Sequence, residues 1–244
     1  MKIATWNLES LNRLTQYRKK TLHSAMEKVE ADVWVLTETW GEFEPLPDYN
    51  LVAQSYPAED LKDSDRFWVA IWVRSSLASD KLEIQSLLQR DRMAAVQIKN
   101  SNGDGIVVVG TVLPWNSDKL WSGADGFCAA LAHQATEWNR LRETYDTCPF
   151  LVAGDFNQSL PNQLRYGSKQ GAKELLETLK RQELFCLTQG NDPLTGKPRI
   201  DHICVSRSGM QPPFVPQVGT WAVPLFKGKQ ITDHSGAYTD LAIL

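Results

Sequence analysis

Polar residues suited to a shared chemistry stand at the ends of apolar runs from one end of the chain to the other: Trp6-Asn7, Glu38, Asn116, Gly154-Asp155-Phe156-Asn157, Asp201-His202 and Asp233-His234. Carboxylates and amides dominate these clusters, imidazoles accompany them, and no serine elbow is present. Oxygen donors of this kind suit a hard cation such as magnesium and the hydrolysis of a phosphate ester.

The runs that carry the clusters read as strands: 2–8, 33–38, 106–113, 150–157, 200–205 and 238–243. Strand ends are where residues distant in sequence can be brought together. Segments 51–55, 67–74 and 93–99 alternate as strands, 184–187 adds another, and Asn102-Gly103-Asp104-Gly105 predicts a hairpin turn. Helical periodicity runs over 11–29, 126–145 and 171–182, and the proline-rich stretch from Pro212 to Pro224 reads as a surface connection. Two mixed blocks of strands with helices predict two sheets packed face to face with helices outside. Because the clusters run from Asn7 to His234, residues 1–244 are expected to form a single domain.

Composition sets limits on this chemistry. The hydrophobic share of 42%, the charged share of 23% and the formal net charge of -3 are ordinary for a globular protein and argue against a strong nonspecific hold on nucleic acid. Local basic clusters exist at Arg13, Arg18, Lys19 and Lys20 and at Lys169, Lys173, Lys180 and Arg181, and each reads first as a solvated helix face. Cys128, Cys148, Cys186 and Cys204 show no metal spacing and read as buried thiols in a reducing compartment. No stretch approaches the roughly 20 apolar residues that span a bilayer. As numbered, the chain leads straight into a strand, so membrane insertion is not expected and a cytoplasmic location is the default expectation. The oligomeric state is left open.

In Gly154-Asp155-Phe156-Asn157, an extended backbone would point Asp155 and Asn157 the same way and Phe156 the other. The competing reading is an Asx turn that closes the strand. Glu38 directly follows a buried run, a poor place for packing and a good one for holding a cation. His202 lies in an Ile-Asp-His-Ile alternation, so if Asp201 faces a site His202 faces away; His202 is read as packed, and His234 as functional.

These clusters resemble the endonuclease/exonuclease/phosphatase superfamily, in its order: Thr5-Trp6-Asn7, Leu36-Thr37-Glu38, Gly154-Asp155-Phe156-Asn157, Arg199-Ile200-Asp201-His202-Ile203 and Thr232-Asp233-His234-Ser235. The resemblance implies a four-layered α/β/β/α sandwich that hydrolyses phosphoesters with Mg2+ or Mn2+. It implies that Glu38 is the principal metal ligand, that Asn7 assists it and that Asp233 contributes through water. Asp155 would orient or deprotonate the attacking water, Asn157 would hold that water or a phosphoryl oxygen, and His234, held by Asp201, would stabilise charge on the phosphate. One departure is that many relatives carry a tyrosine or histidine just before the proline-containing loop, whereas Val112-Leu113-Pro114-Trp115-Asn116 has neither.

Substrate choice must come from the surrounding loops. Asn116 is expected to contact substrate, Arg66, Arg165, Tyr166, Lys197 and Arg199 are the candidates for contacts to a second phosphate, and Trp115 either stacks on a base or sugar or closes the edge of the core. The first expectation is a nuclease with a nucleic-acid partner. The alternative is a phosphatase or phosphodiesterase acting on a nucleotide, inositol phosphate or lipid head group. A phosphate-binding protein without turnover ranks last, because every polar position of the motifs is retained.

Overall fold

The computed structural model describes residues 1–9, 15–41, 43–57, 66–99, 105–160, 166–210, 216–223 and 231–242. Strands β1 (Lys2–Asn7), β2 (Val33–Trp40), β3 (Tyr49–Gln54), β4 (Arg66–Arg74), β11 (Gln217–Trp221) and β12 (Gly236–Asp240) form one sheet in the order β11-β12-β1-β2-β4-β3. Strands β5 (Ala78–Leu82), β6 (Met93–Lys99), β7 (Gly105–Val112), β8 (Phe150–Asp155), β9 (Leu184–Cys186) and β10 (Asp201–Ser206) form the other, in the order β5-β6-β7-β8-β10-β9. Pairing is antiparallel except for β1 with β2 and β7 with β8. Those two parallel pairs are each bridged by a helix, α1 (Gln16–Val29) and α2 (Gly123–Thr144), as a crossover requires.

Alternation along the strands builds three apolar layers. Ile3, Val33, Val35, Val69 and Ile71 of the first sheet meet Val96, Val108, Leu151, Ala153 and Ile203 of the second. The opposite face of the first sheet, with Ala4, Trp6, Trp34, Leu36 and Trp72, covers Leu22, Met26 and Val29 of α1. On the outer face of the second sheet, Val107, Val109, Phe150 and Val152 receive Phe127, Leu131, Trp138 and Leu141 of α2 and Leu175 and Leu179 of α3 (Lys169–Arg181). The result is the expected α/β/β/α sandwich.

Two strands escape the sequence reading. β5 and β11 are edge strands with little buried surface, so neither shows the apolar pattern of a central strand. β11 lies inside the proline-rich stretch expected to be a connection, so that stretch contains a strand of the first sheet. The anticipated hairpin turn at 102–104, the start of the first helical pattern and Arg13 lie outside the described residues. Among the described residues no helix is long and apolar enough to cross a membrane.

Candidate active site

The parity that makes the core also assembles the site. Residues 3, 5 and 7 of β1, 151, 153 and 155 of β8, and 201, 203 and 205 of β10 share the face between the sheets, so Asn7, Asp155 and Asp201 emerge there at one end of the sandwich. Glu38 has the wrong parity, since Val33 and Val35 face inward, and it lies within β2 instead of after it. Its φ of 46° turns the backbone at that point, and Glu38 drops out of the pairing of β2 with β4, which keeps the same register on either side of it. A non-glycine residue in the left-handed region carries strain that surrounding structure must hold, and here it swings the carboxylate to Asn7.

Asn7 is the hub. Its Nδ2 donates to Glu38 Oε1 at 3.0 Å and to Asp155 Oδ2 at 2.9 Å, while its Oδ1 accepts from the Glu9 backbone at 2.8 Å. Asp155 Oδ1 accepts from the Asn157 backbone N–H at 2.8 Å, and Asn157 Nδ2 donates to Leu113 O at 2.9 Å and to Asp155 Oδ2 at 3.2 Å. The segment is therefore an Asx turn, with Asn157 at a φ of 47°, and the extended geometry anticipated for it does not occur. The turn and the site are the same feature: it brings the Asn157 amide back to the carboxylate it follows. Gly154 adopts a φ of 143°, and a Cβ there would sit 2.0 Å from Thr111 O, so close approach to the neighbouring strand requires glycine.

His234 reaches the site from a loop pinned to β1. Trp6 Nε1 donates to His234 O at 3.1 Å, Thr232 Oγ1 donates to Asn7 O at 2.9 Å, and the His234 N–H donates to Thr232 Oγ1 at 3.2 Å. His234 Nδ1 donates to Asp201 Oδ2 at 2.5 Å, which leaves Nε2 toward the site, 3.5 Å from Asp233 Oδ1. Asp233 itself stands on the rim, its side chain 65% exposed. His202 is fully buried as expected, with Nε2 at 3.1 Å from Gln158 O and Nδ1 at 3.3 Å from Thr188 Oγ1, its ring edge-on to Phe156.

Electrostatics within the cluster are strongly coupled. Burial, then the negative charge of Asp201, pushes Asp155 up to about 7, against the help of His234. Glu38 is raised first by burial. Burial opposes charge on His234, but Asp201, by charge and hydrogen bond, outweighs it and holds the ring well above its usual range. Three carboxylates thus face one imidazolium, and the buried Asp201 Oδ1 has no hydrogen-bond partner among the described residues. Ligand atoms of Asp155, Asp201 and His234 lie within 4.8 Å of one another. This excess of buried oxygen and negative charge fits a hard divalent cation.

Beside His234 opens a cavity of about 470 Å³, lined by Tyr166, Asp192, Lys197, Arg199, Asp201 and Asp233 among others. Tyr166 is exposed and Arg199 buried, so both expected substrate contacts border this space. Asn116 is exposed and lines a small cleft with Asn157. Arg165 lies outside the described residues. Trp115 packs 5.6 Å from Trp68 and against the Arg92 guanidinium at the edge of the core, so its ring is engaged there and it closes the core edge. The sequence reading missed Thr232 and Asp192. Thr232 stands in a motif whose neighbours carry the chemistry, and the buried Asp192 sits in a polar loop that has no periodic signal.

Residues 4–234 match the endonuclease/exonuclease/phosphatase family, and the chain belongs to it. Members of that family hydrolyse phosphoesters, generally with a divalent metal. No curated protein sequence matches significantly. Among solved structures, the AP endonuclease LMAP from Leishmania major is similar with a TM-score of 0.72 at 17% identity, over 98% of this chain and 86% of that one. The endonuclease domain of TRAS1, a telomere-specific non-LTR retrotransposon, has a TM-score of 0.65 at 14% identity over 99% and 98%. A mannosyl-6-phosphatase of Bacteroides thetaiotaomicron has a TM-score of 0.62 at 15% identity over 99% of each chain. At these identities the likeness is one of fold.

Proposed function

We propose that this protein is a Mg2+-dependent nuclease, with Mn2+ able to replace Mg2+, that cleaves nucleic-acid phosphodiesters by attack of water. The observation that carries the reading is the convergence of Asn7, Glu38, Asp155, Asn157, Asp201 and His234 at one end of the sandwich, joined by the hydrogen bonds described above. Glu38 would hold the cation with Asn7 orienting its carboxylate, and Asp233 would contribute from the rim through water. When bound, the cation supplies Lewis-acid polarisation of the phosphate and offsets its charge. Asp155 orients or deprotonates the attacking water, Asn157 holds that water or a phosphoryl oxygen, and the His234 imidazolium, fixed by Asp201, stabilises charge developing on phosphate.

Substrate reading rests on the rim. Tyr166 offers an exposed ring beside the cavity that holds Lys197 and Arg199, a combination suited to an unstacked nucleotide and its neighbouring phosphate. Asn116 flanks Asn157 on the other side, and Arg165 adjoins Tyr166 in sequence. A second reading, a phosphatase of small phosphoesters, is favoured by the size of the cavity, within the range of small-ligand sites, and by the net charge of -3. The structural neighbours include proteins described in both ways, an endonuclease and a sugar phosphatase.

The test is Mg2+-dependent hydrolysis of abasic duplex DNA, single-stranded DNA, RNA and a set of small phosphoesters, with Asp155→Ala as control. Cleavage of nucleic acid by the wild type alone, with binding that weakens steeply as salt rises, supports the nuclease. Turnover of small phosphoesters only would replace it with the second reading. Activity retained in the variant would remove Asp155 from the chemistry.

A further inference from the structure

The mechanism leaves unused two thiols on the far side of β10. Cys186 of β9 and Cys204 of β10 are directly opposed in the antiparallel register. The next pair along, Leu187 and Ile203, is joined by a backbone hydrogen bond of 2.8 Å. Narrow hydrogen-bonded and wide non-bonded pairs alternate, so Cys186 and Cys204 form a non-bonded pair, where opposed Cα atoms approach to about 4.5 Å and side chains lie closest. That separation falls within the roughly 4.4–6.8 Å that a disulfide spans. Side chains of an opposed pair share a face.

Their surroundings differ in a useful way. Cys204 is fully buried in the layer under α2 and α3. Cys186 is half-buried on the edge strand and lines a surface cavity of about 430 Å³ together with Lys180, Phe185 and Arg207. Cys186 Sγ lies 3.5 Å from His202 Nδ1 and 3.7 Å from Thr188 Oγ1. The hydrogen bond with Cys204, and after it His202, holds the Cys186 thiol well below its usual range although burial opposes this, whereas burial pushes Cys204 up. An accessible thiol with a nearby base and a resolving thiol behind it is the arrangement that reacts with peroxides.

We propose that Cys186 and Cys204 are a peroxide-reactive pair that closes into a disulfide across β9 and β10. The Cys186 thiolate attacks one oxygen of hydrogen peroxide; the O–O bond breaks, and the departing hydroxide takes up the proton the thiol has lost and leaves as water. The Cys204 thiolate then attacks the sulfur of the Cys186 sulfenic acid. The S–O bond breaks, the S–S bond forms, and hydroxide leaves with the Cys204 proton as a second water. Two thiols give up two electrons, and the peroxide accepts them. This inference does not depend on the hydrolytic reading.

The folded protein is treated with a small excess of hydrogen peroxide, alkylated, weighed and mapped after digestion. Two of the four thiols are expected to escape alkylation, so that the treated protein carries two alkyl groups fewer than the untreated control, with a map joining the peptides of Cys186 and Cys204 and reversal by dithiothreitol. Cys204→Ser should stop at a Cys186 sulfenic acid that dimedone traps, and Cys186→Ser should keep Cys204 reduced. Four intact thiols, first reaction at Cys128 or Cys148, or a disulfide with any other pairing would overturn the proposal. The wild-type map alone decides the matter if either variant fails to fold.

Discussion

Asp155 and Asp201 face each other directly across β8 and β10, in a pair flanked by the backbone hydrogen bond from Phe156 N–H to Ile200 O at 2.9 Å. The bond on one side makes theirs a non-bonded pair, so two carboxylates project from the closest approach the ladder offers. Repulsion between them would normally disfavour such a pair. Here Asp201 gives its Oδ2 to His234, Asp155 collects three donated hydrogen bonds, and the remaining negative charge is what a cation would balance.

The first prediction concerns stability without metal. Asp155 has an ordinary value of 3.8 and is raised to about 7 by folding, so between those values the folded protein holds a proton that the unfolded chain has released. Stability must then fall as pH rises through that window, with a slope approaching about 1.4 kcal/mol per pH unit for one proton. His234, raised above 6.5 by Asp201, adds stability that is likewise lost as pH rises through its folded value. Melting in EDTA should drop steadily from pH 5 to 8, by about 2–4 °C for each kcal/mol lost, and Asp155→Ala should flatten the trend. A wild-type curve that rises over this range would contradict the charge arrangement.

Rates should respond to the same coupling. A cation favours the ionised form of nearby carboxylates, so raising Mg2+ should carry the acid limb of the rate profile to lower pH. Asp201→Asn removes the charge that holds His234 protonated, and the basic limb should move down by about one pH unit or more. An unmoved basic limb in that variant would mean that the His234 proton is not required.

Glu38→Gln keeps the shape of the side chain and removes its charge. On the proposed reading the carboxylate, and not the hydrogen bond to Asn7, would hold the cation, so half-maximal rate should then require at least about tenfold more Mg2+. An unchanged Mg2+ titration would take Glu38 out of the metal shell.

Away from the chemistry, Arg92 and Asp118 form a fully buried ion pair at 2.8 Å, with the guanidinium over the Trp68 and Trp115 rings. Asp118 also accepts from the backbone N–H groups of Leu120 and Trp121 at 3.0 and 3.1 Å, shaping the loop after Asn116. Asp118→Ala removes the carboxylate from beside the buried Arg92 guanidinium and should cost about 3–5 kcal/mol in denaturant unfolding. A loss below about 1 kcal/mol would show that the guanidinium finds other compensation.

Much of this protein is determined by local pattern. Continuous apolar runs mark the central strands, because a strand covered on both faces is apolar on both, and the order of the polar clusters marks the family. Parity puts His202 on the face opposite Asp201, and His202 packs against Phe156 and Gln158 as read. Tertiary structure decided what alternation cannot express. Glu38 joins Asn7 only because a left-handed turn overrides its parity, and Asp155 and Asn157 converge through a turn instead of an extended backbone. Edge strands β5 and β11 exist because neighbouring strands offer them hydrogen bonds, not because their side chains seek burial. Trp115 went to packing because Arg92 and Trp68 were there to receive it, and Cys186 met Cys204 because register, a property of two strands, sets which residues oppose. Each of these depends on a partner distant in the chain, and no window of sequence contains both halves of such a contact.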